Sequence, residues 1–196
     1  LDISQNNIHR LDVSNPLSPT EKDTITYTGG EIPYGILAEE GKLFVLTNNA
    51  FYAYALDSAP ALSIGAELGT LDNGETLAPA QPVPLQRYNA NWLLAPITNH
   101  GLRIYDTSNT NDLCFTHPWA DATTSMHDSV LYGDYLYTTH AVNELKIFTM
   151  ESGPSLSEEC STPNSITPVA FNPPSLSHPA FLLGVLDDQL YMGVGN

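Results

Sequence analysis

Two stretches decide the fold: 101-GLRIYDTSNTNDL-113 and 7-NIHRLDVSNPLSP-19. Each carries an apolar residue, a basic residue and a second apolar residue. Each then closes on Asp, a spacer, Ser and Asn, as 106-DTSN-109 and 12-DVSN-15. Alternating apolar and polar residues read as a β-strand, and the Asp, Ser and Asn cluster reads as the turn that ends it. A chain that repeats such a phrase at regular steps is an array of supersecondary units.

The steps are regular. A run that follows a short polar turn recurs as 41-GKLFVLT-47, 91-NWLLAPI-97, 133-GDYLYTT-139 and 188-DQLYMGV-194. A second run lies just downstream as 51-FYAYAL-56, 102-LRIYDT-107 and 145-LKIFTM-150, and once at the start of the chain as 8-IHRLDV-13. The two series interleave with a unit of about 43 to 54 residues, present about four times. An apolar run precedes each anchor: 34-YGILAEE-40, 83-VPLQRYN-89, 127-HDSVLYG-133 and 181-FLLGVLD-187. A weaker run follows each unit, as 23-DTITYT-28, 62-LSIGAEL-68, 112-DLCFTH-117 and a poorly formed one near Cys160. No segment has a helical period with caps. The chain reads as all-β, with four strands per unit, and antiparallel four-stranded units at this period predict β-propeller blades. The expectation is one propeller domain or propeller segment over residues 1–196. Its chain ends would share one blade if the ring closes at four, and would be internal edges if these residues are part of a larger ring.

The residues 102-LRIYDTSNT-110, and His127-Asp128-Ser129-Val130 followed by Gly133-Asp134-Tyr135-Leu136-Tyr137, resemble the LVIVD-repeat proteins of bacterial and archaeal surfaces. Ile8, Leu11, Asp12, Val13, Ser14, Asn15 and Pro16 match the tail of that repeat best. The match is strong in the first and third units. The second unit departs with 55-ALDSAP-60, and the fourth keeps little of the Asp-Val-Ser-Asn-Pro turn. The resemblance implies a propeller at the cell surface or outside the cell. Its motifs are structural and imply no chemistry.

Composition narrows the function classes. The chain has 196 residues and is 42% hydrophobic, with ten Tyr and six Phe, enough to bury a core. Six Lys plus Arg face 22 Asp plus Glu, a net charge of -16. Such a surface repels phosphate backbones and anionic lipid heads, which argues against nucleic-acid and membrane-surface partners. No apolar stretch is long enough to span a bilayer as a helix, so membrane insertion is not expected. The chain starts at Leu1 rather than Met and reads as a processed product or a piece of something longer. Low Lys and abundant Ser, Thr, Asn, Tyr and Pro suit a secreted, periplasmic or cell-surface protein.

Reactive constellations are scarce. His9, His100, His117, His127, His140 and His178 form no close ligand spacing. No cofactor is expected, although the acidic surface is compatible with a metal ion such as calcium. His127 stands at the start of an inner strand, and its counterparts in the other units are Tyr34, Pro84 and Phe181. With Arg87, the residues Tyr34, His127 and Phe181 are the candidate binding set of a hub funnel, where a small ligand would stack or hydrogen-bond. The competing role for His127 is to satisfy backbone groups between blades. The pairs Glu39-Glu40, Glu158-Glu159 and Asp187-Asp188 sit in turns, whereas a glycosidase needs carboxylates about 5 to 10 Å apart across a cleft. Asp12 and Asp106 are expected to accept backbone N–H groups of their own turns. Cys114 and Cys160 are the only cysteines and the disulfide candidates. Outer-strand positions of neighbouring blades stand too far apart for a bridge, but the Pro- and Ser-rich segment 152–174 is long enough to bring Cys160 back.

Two function classes follow. The first is a non-enzymatic binding or scaffold module for a protein or glycan partner, alone or within a homo-oligomer or larger extracellular assembly. The second is a propeller hydrolase or lyase with its site at the channel mouth. The repeated residues are structural, which favours the first.

Overall fold

The protein is described by a computed structural model covering residues 6–56, 64–78, 82–88, 90–97, 100–116, 126–140, 144–150, 154–155, 162–163, 166–168 and 180–194. The described residues contain no helix and are built from short antiparallel strands. In chain order these are β1 (Asn7–Asp12), β2 (Thr20–Thr26), β3 (Pro33–Glu39), β4 (Lys42–Thr47), β5 (Ala50–Leu56), β6 (Ile64–Asp72), β7 (Gln86–Arg87), β8 (Trp92–Ile97) and β9 (Gly101–Asp106). There follow β10 (Cys114–Thr116), β11 (Met126–Tyr132), β12 (Tyr135–His140), β13 (Glu144–Met150), β14 (Pro154–Ser155), β15 (Thr162–Pro163), β16 (Ile166–Pro168), β17 (Ala180–Leu186) and β18 (Gln189–Val194).

Three sheets have four strands: β3-β4-β5-β6, β7-β8-β9-β10 and β11-β12-β13-β16. Three have two: β1-β2, β14-β15 and β17-β18. Most of the expected runs are therefore strands, and three sets of four strands each line up in one antiparallel sheet; the expected run near Cys160 lies outside the described residues. The second and third strands are the most apolar. Every residue of β8 and β9 is buried.

Turn chemistry sets the register. The hairpins β3–β4 and β17–β18 have two-residue loops with positive φ at both positions, Glu40 (47°) with Gly41 (74°) and Asp187 (49°) with Asp188 (60°). This geometry matches the twist of the flanking strands. After β1 and β9, Asp takes over. Ser14 N donates to Asp12 Oδ1 at 2.9 Å and Ser108 N to Asp106 Oδ1 at 2.9 Å, so the two opening stretches end in the same turn, as expected.

One strand is much shorter than its sequence predicts. The run 83–89 yields only Gln86–Arg87 as β7. Pro82 and Pro84 lack the backbone donor that a ladder needs. Beyond the reach of β7, β8 has one neighbour, and there Pro96 is tolerated. The fourth unit's weak outer run also differs: β16 pairs with β13, while Cys160 lies outside the described residues.

The chain divides into two compact units, Leu1–Leu77 with Thr110–Asp112, and Ala78–Asn109 with Leu113–Asn196. In the first, Ile8 and Tyr27 pack on Leu43, Val45 and Tyr54, which lays β1–β2 on the β3–β6 sheet. In the second, Trp92, Leu94, Leu102 and Ile104 meet Met126, Leu136 and Phe148, which joins the β7–β10 sheet to the β11–β16 sheet. The even positions of β8 and β9 thus face one sheet, as a two-residue side-chain period requires. Among the described residues, no helix is long and apolar enough to cross a membrane.

Candidate functional site

The first strands of three sheets share an irregularity that bears on the candidate residues. In β3 the pairing shifts between Pro33 and Gly35, in β11 between Met126 and Asp128, and in β17 between Ala180 and Leu182. The extra residues are Tyr34, His127 and Phe181. A bulge leaves its extra residue out of the ladder and re-aims it. The equivalence drawn from sequence register thus corresponds to a repeated backbone feature. Pro84 precedes β7, which is too short for a bulge.

In the second compact unit His127 is half-buried, and burial holds its imidazole below the usual value of 6.5. Its neighbour Asp128 turns toward the next sheet. Asp128 Oδ2 accepts from Leu183 N of β17 at 2.9 Å, and Oδ1 accepts from Ser129 N at 2.8 Å. Burial pushes this carboxyl above the ordinary range, against the pull of the two N–H groups. Across the other side, Gln86 Nε2 of β7 donates to Ser129 O and to Ser129 Oγ, the latter at 3.0 Å. The stretch Asp128–Ser129 is therefore bonded to the strands of both flanking sheets. Sequence reading saw Asp128 as part of a motif but not as the link between sheets, because the link depends on a backbone N–H 55 residues away.

Arg87 has a different place in its sheet. It pairs with Leu93 near the β7–β8 turn, and its Nη1 donates to Thr107 Oγ1 at 2.8 Å. Thr107 Oγ1 in turn donates to Asn91 O at 2.8 Å. Arg87 thus braces the hairpin end of its sheet, while His127 lies at the opposite end of its own strand. Phe181 is placed by its backbone alone; its side chain lies outside the described residues.

In the first unit the bulged Tyr34 is half-buried and follows a loop that is tied down by side chains. The Glu31 carboxylate accepts from the Tyr52 hydroxyl at 2.9 Å on each oxygen, and from Thr47 Oγ1. Asn48 closes the same loop, with Ile32 N donating to its Oδ1 at 2.8 Å and its own N donating to Ile32 O at 3.0 Å. Tyr52 stacks on Tyr54 and leans on Tyr27, whose hydroxyl lies 3.3 Å from that of Tyr54. Sequence reading missed Glu31. Flanked by Gly29, Gly30 and Pro33, it lies outside every strand run.

The remaining candidates are quickly placed. Glu40 and the Asp187-Asp188 pair occupy exposed hairpin loops. Glu158 and Glu159, together with the side chain of His140, lie outside the described residues. Among the described residues, no group of three or more His, Cys, Asp or Glu is placed to hold a metal ion. Cys114, at the start of β10, is disulfide-bonded. No family model matches the sequence, and no curated protein matches it.

Proposed function

We propose that the protein is a non-enzymatic β-propeller module of about four blades, similar to the LVIVD-repeat proteins. It acts outside the cell or on its surface, where it binds a protein or glycan partner at a bulged strand start. The observation that carries this reading is the repeated bulge, with Tyr34, His127 and Phe181 as its extra residues. A constant backbone feature that carries a different side chain each time is what a repeat scaffold offers a ligand, whereas a catalytic site is needed once. The propeller reading rests on three four-stranded sheets, with β17–β18 as a further pair of inner-strand type and β1–β2 as a pair of outer-strand type. The extracellular reading rests on the disulfide at Cys114, since disulfides persist in oxidising compartments. Its partner in this proposal is Cys160.

The test is a binding screen against glycan arrays and purified surface proteins, with wild type beside His127→Ala and Tyr34→Ala. The expected result is a ligand that binds wild type, is weakened by the substitution at the bulge it occupies, and is recovered chemically unchanged. Recovery of a cleaved ligand would replace this reading with a hydrolase or lyase. Failure of the mass to rise by two hydrogens on reduction would remove the Cys114–Cys160 bridge and, with it, the support for an oxidising compartment.

A further inference from the structure

At the hairpin ends of β11–β12 and β17–β18, far from the bulges, the second unit exposes an apolar surface. Tyr132 and Tyr135 are each 43% exposed, Leu186 63% and Tyr191 54%. Tyr132 and Tyr135 stand directly opposite each other across their turn. Leu186 and Tyr191 share one face of β17–β18, where Tyr191 is opposite Gly184. A Cβ at Gly184 would meet nothing within 4 Å, so the flank of Tyr191 is open. The Tyr132 hydroxyl donates to Asp188 Oδ1, which joins the two hairpins into one surface.

The charges around these rings are of one sign. Asp134, Asp187 and Asp188 are exposed in the two turns, and neither stretch 126–140 nor stretch 180–194 contains Lys or Arg. Burial first, and then the Asp134 carboxylate, raises the phenol of Tyr88 beside the β7–β8 turn. Exposed apolar patches on soluble proteins mark partner surfaces. Tyrosine rings rimmed by carboxylates suit a partner with cationic side chains, because a guanidinium or ammonium over a ring face gains cation–π energy while its charge meets the carboxylates. An anionic partner would be repelled.

We infer that this aromatic and acidic surface, formed by Tyr132, Tyr135, Leu186 and Tyr191 with Asp134, Asp187 and Asp188, docks a basic polypeptide segment rich in Arg and Lys. It is a second surface at the other end of β11 from His127, and it stands or falls independently of the bulge site.

The experiment uses the full chain and a synthetic nine-residue peptide alternating Gly with Arg and Lys, with binding followed by calorimetry at low and high salt. Wild type binds, and affinity falls as salt is raised. The triple variant Asp134→Asn, Asp187→Asn, Asp188→Asn binds about thirtyfold more weakly, from about threefold per exposed charge pair. Tyr191→Ala binds about fivefold more weakly through loss of the ring face. A charge-matched control, Asp112→Asn with Glu40→Gln and Glu75→Gln, binds as wild type. Carbodiimide cross-linking read by mass spectrometry places the peptide lysines on Asp134, Asp187 or Asp188, so the result does not depend on the variants alone. Cross-links spread over the acidic residues of the chain, or equal weakening by the control, would overturn the proposal as non-specific charge attraction. So would no binding, or salt-independent binding of a neutral β-linked oligosaccharide that Tyr191→Ala abolishes. Because His127→Ala leaves this surface intact, failure here and failure of the bulge site are read separately.

Discussion

Asp128 Oδ2 of β11 accepts the backbone N–H of Leu183 of β17 at 2.9 Å, a carboxylate-to-backbone bond that joins two sheets. Asp128→Ala leaves that N–H without its acceptor and is expected to cost about 1 to 3 kcal/mol. Asp128→Asn keeps an oxygen there and is expected to stay within about 1 kcal/mol of wild type. The pH dependence has a definite sign. Burial raises the folded carboxyl above its unfolded value of 3.8, so its contribution is fully present below that value. It is lost as pH rises through the folded pKa. Urea melts of wild type and Asp128→Asn across the acid range check this: the variant lacks that part of the slope.

The tyrosine cluster of the first unit predicts behaviour at alkaline pH. Burial pushes Tyr27 and Tyr52 well above 10.0, with Tyr54 and Glu31 respectively adding to the effect. In the second unit burial pushes the Tyr105 phenol up to about 12. Folded, these hydroxyls keep their protons at pH values where unfolded tyrosines lose them, so stability is full below 10.0 and declines as pH rises above it. Near-UV titration should show these tyrosines ionising together with unfolding rather than before it. Tyr52→Phe removes the donor to Glu31 and is expected to cost about 1 to 2 kcal/mol.

Gly69 in β6 approaches another strand of chain too closely for a side chain. A Cβ there would lie 1.9 Å from the backbone oxygen of Thr110. Neither partner is a flexible side-chain end, so the backbone must move. Gly69→Ala is expected to destabilise the protein by about 2 to 3 kcal/mol, read as a lower urea midpoint. Gly133→Ala is the contrasting case: its Cβ position is open, and only the positive φ of 59° opposes it. Its expected cost is about 1 kcal/mol.

Asp12 predicts behaviour at the acid end. The Ser14 backbone N–H, then the Ser14 hydroxyl and Lys22, hold its carboxyl down at about 2. Its folded pKa lies below its unfolded value, so its contribution is present above 3.8 and is lost as pH falls toward 2. Carbon-detected NMR titration should find Asp12 protonating well below the ordinary value of 3.8. Ser14→Ala removes the hydroxyl but keeps the N–H, so only part of the depression should disappear.

What could be read from sequence was local. Alternation in 102-LRIYDT-107 and 8-IHRLDV-13 specifies strands because side chains alternate faces every residue. Asp12 and Asp106 specify turns because a short carboxylate reaches the N–H two residues on. Spacing alone placed Tyr34, His127 and Phe181 at one repeat position, and the pairing of β3, β11 and β17 makes each of them a bulge. The use to which a polar side chain is put was decided by tertiary structure. Arg87 stands in the run with the candidate funnel residues, yet its guanidinium is bound to Thr107. Glu31 lies in an unremarkable loop, yet it holds Tyr52. Asp128 looks like a motif residue, yet it bonds Leu183 in another sheet. Strand and turn come from forces between near neighbours, which the order of residues encodes directly. The partner of a buried charge is set by which strands the fold packs together, and only the folded chain brings those residues within hydrogen-bond distance.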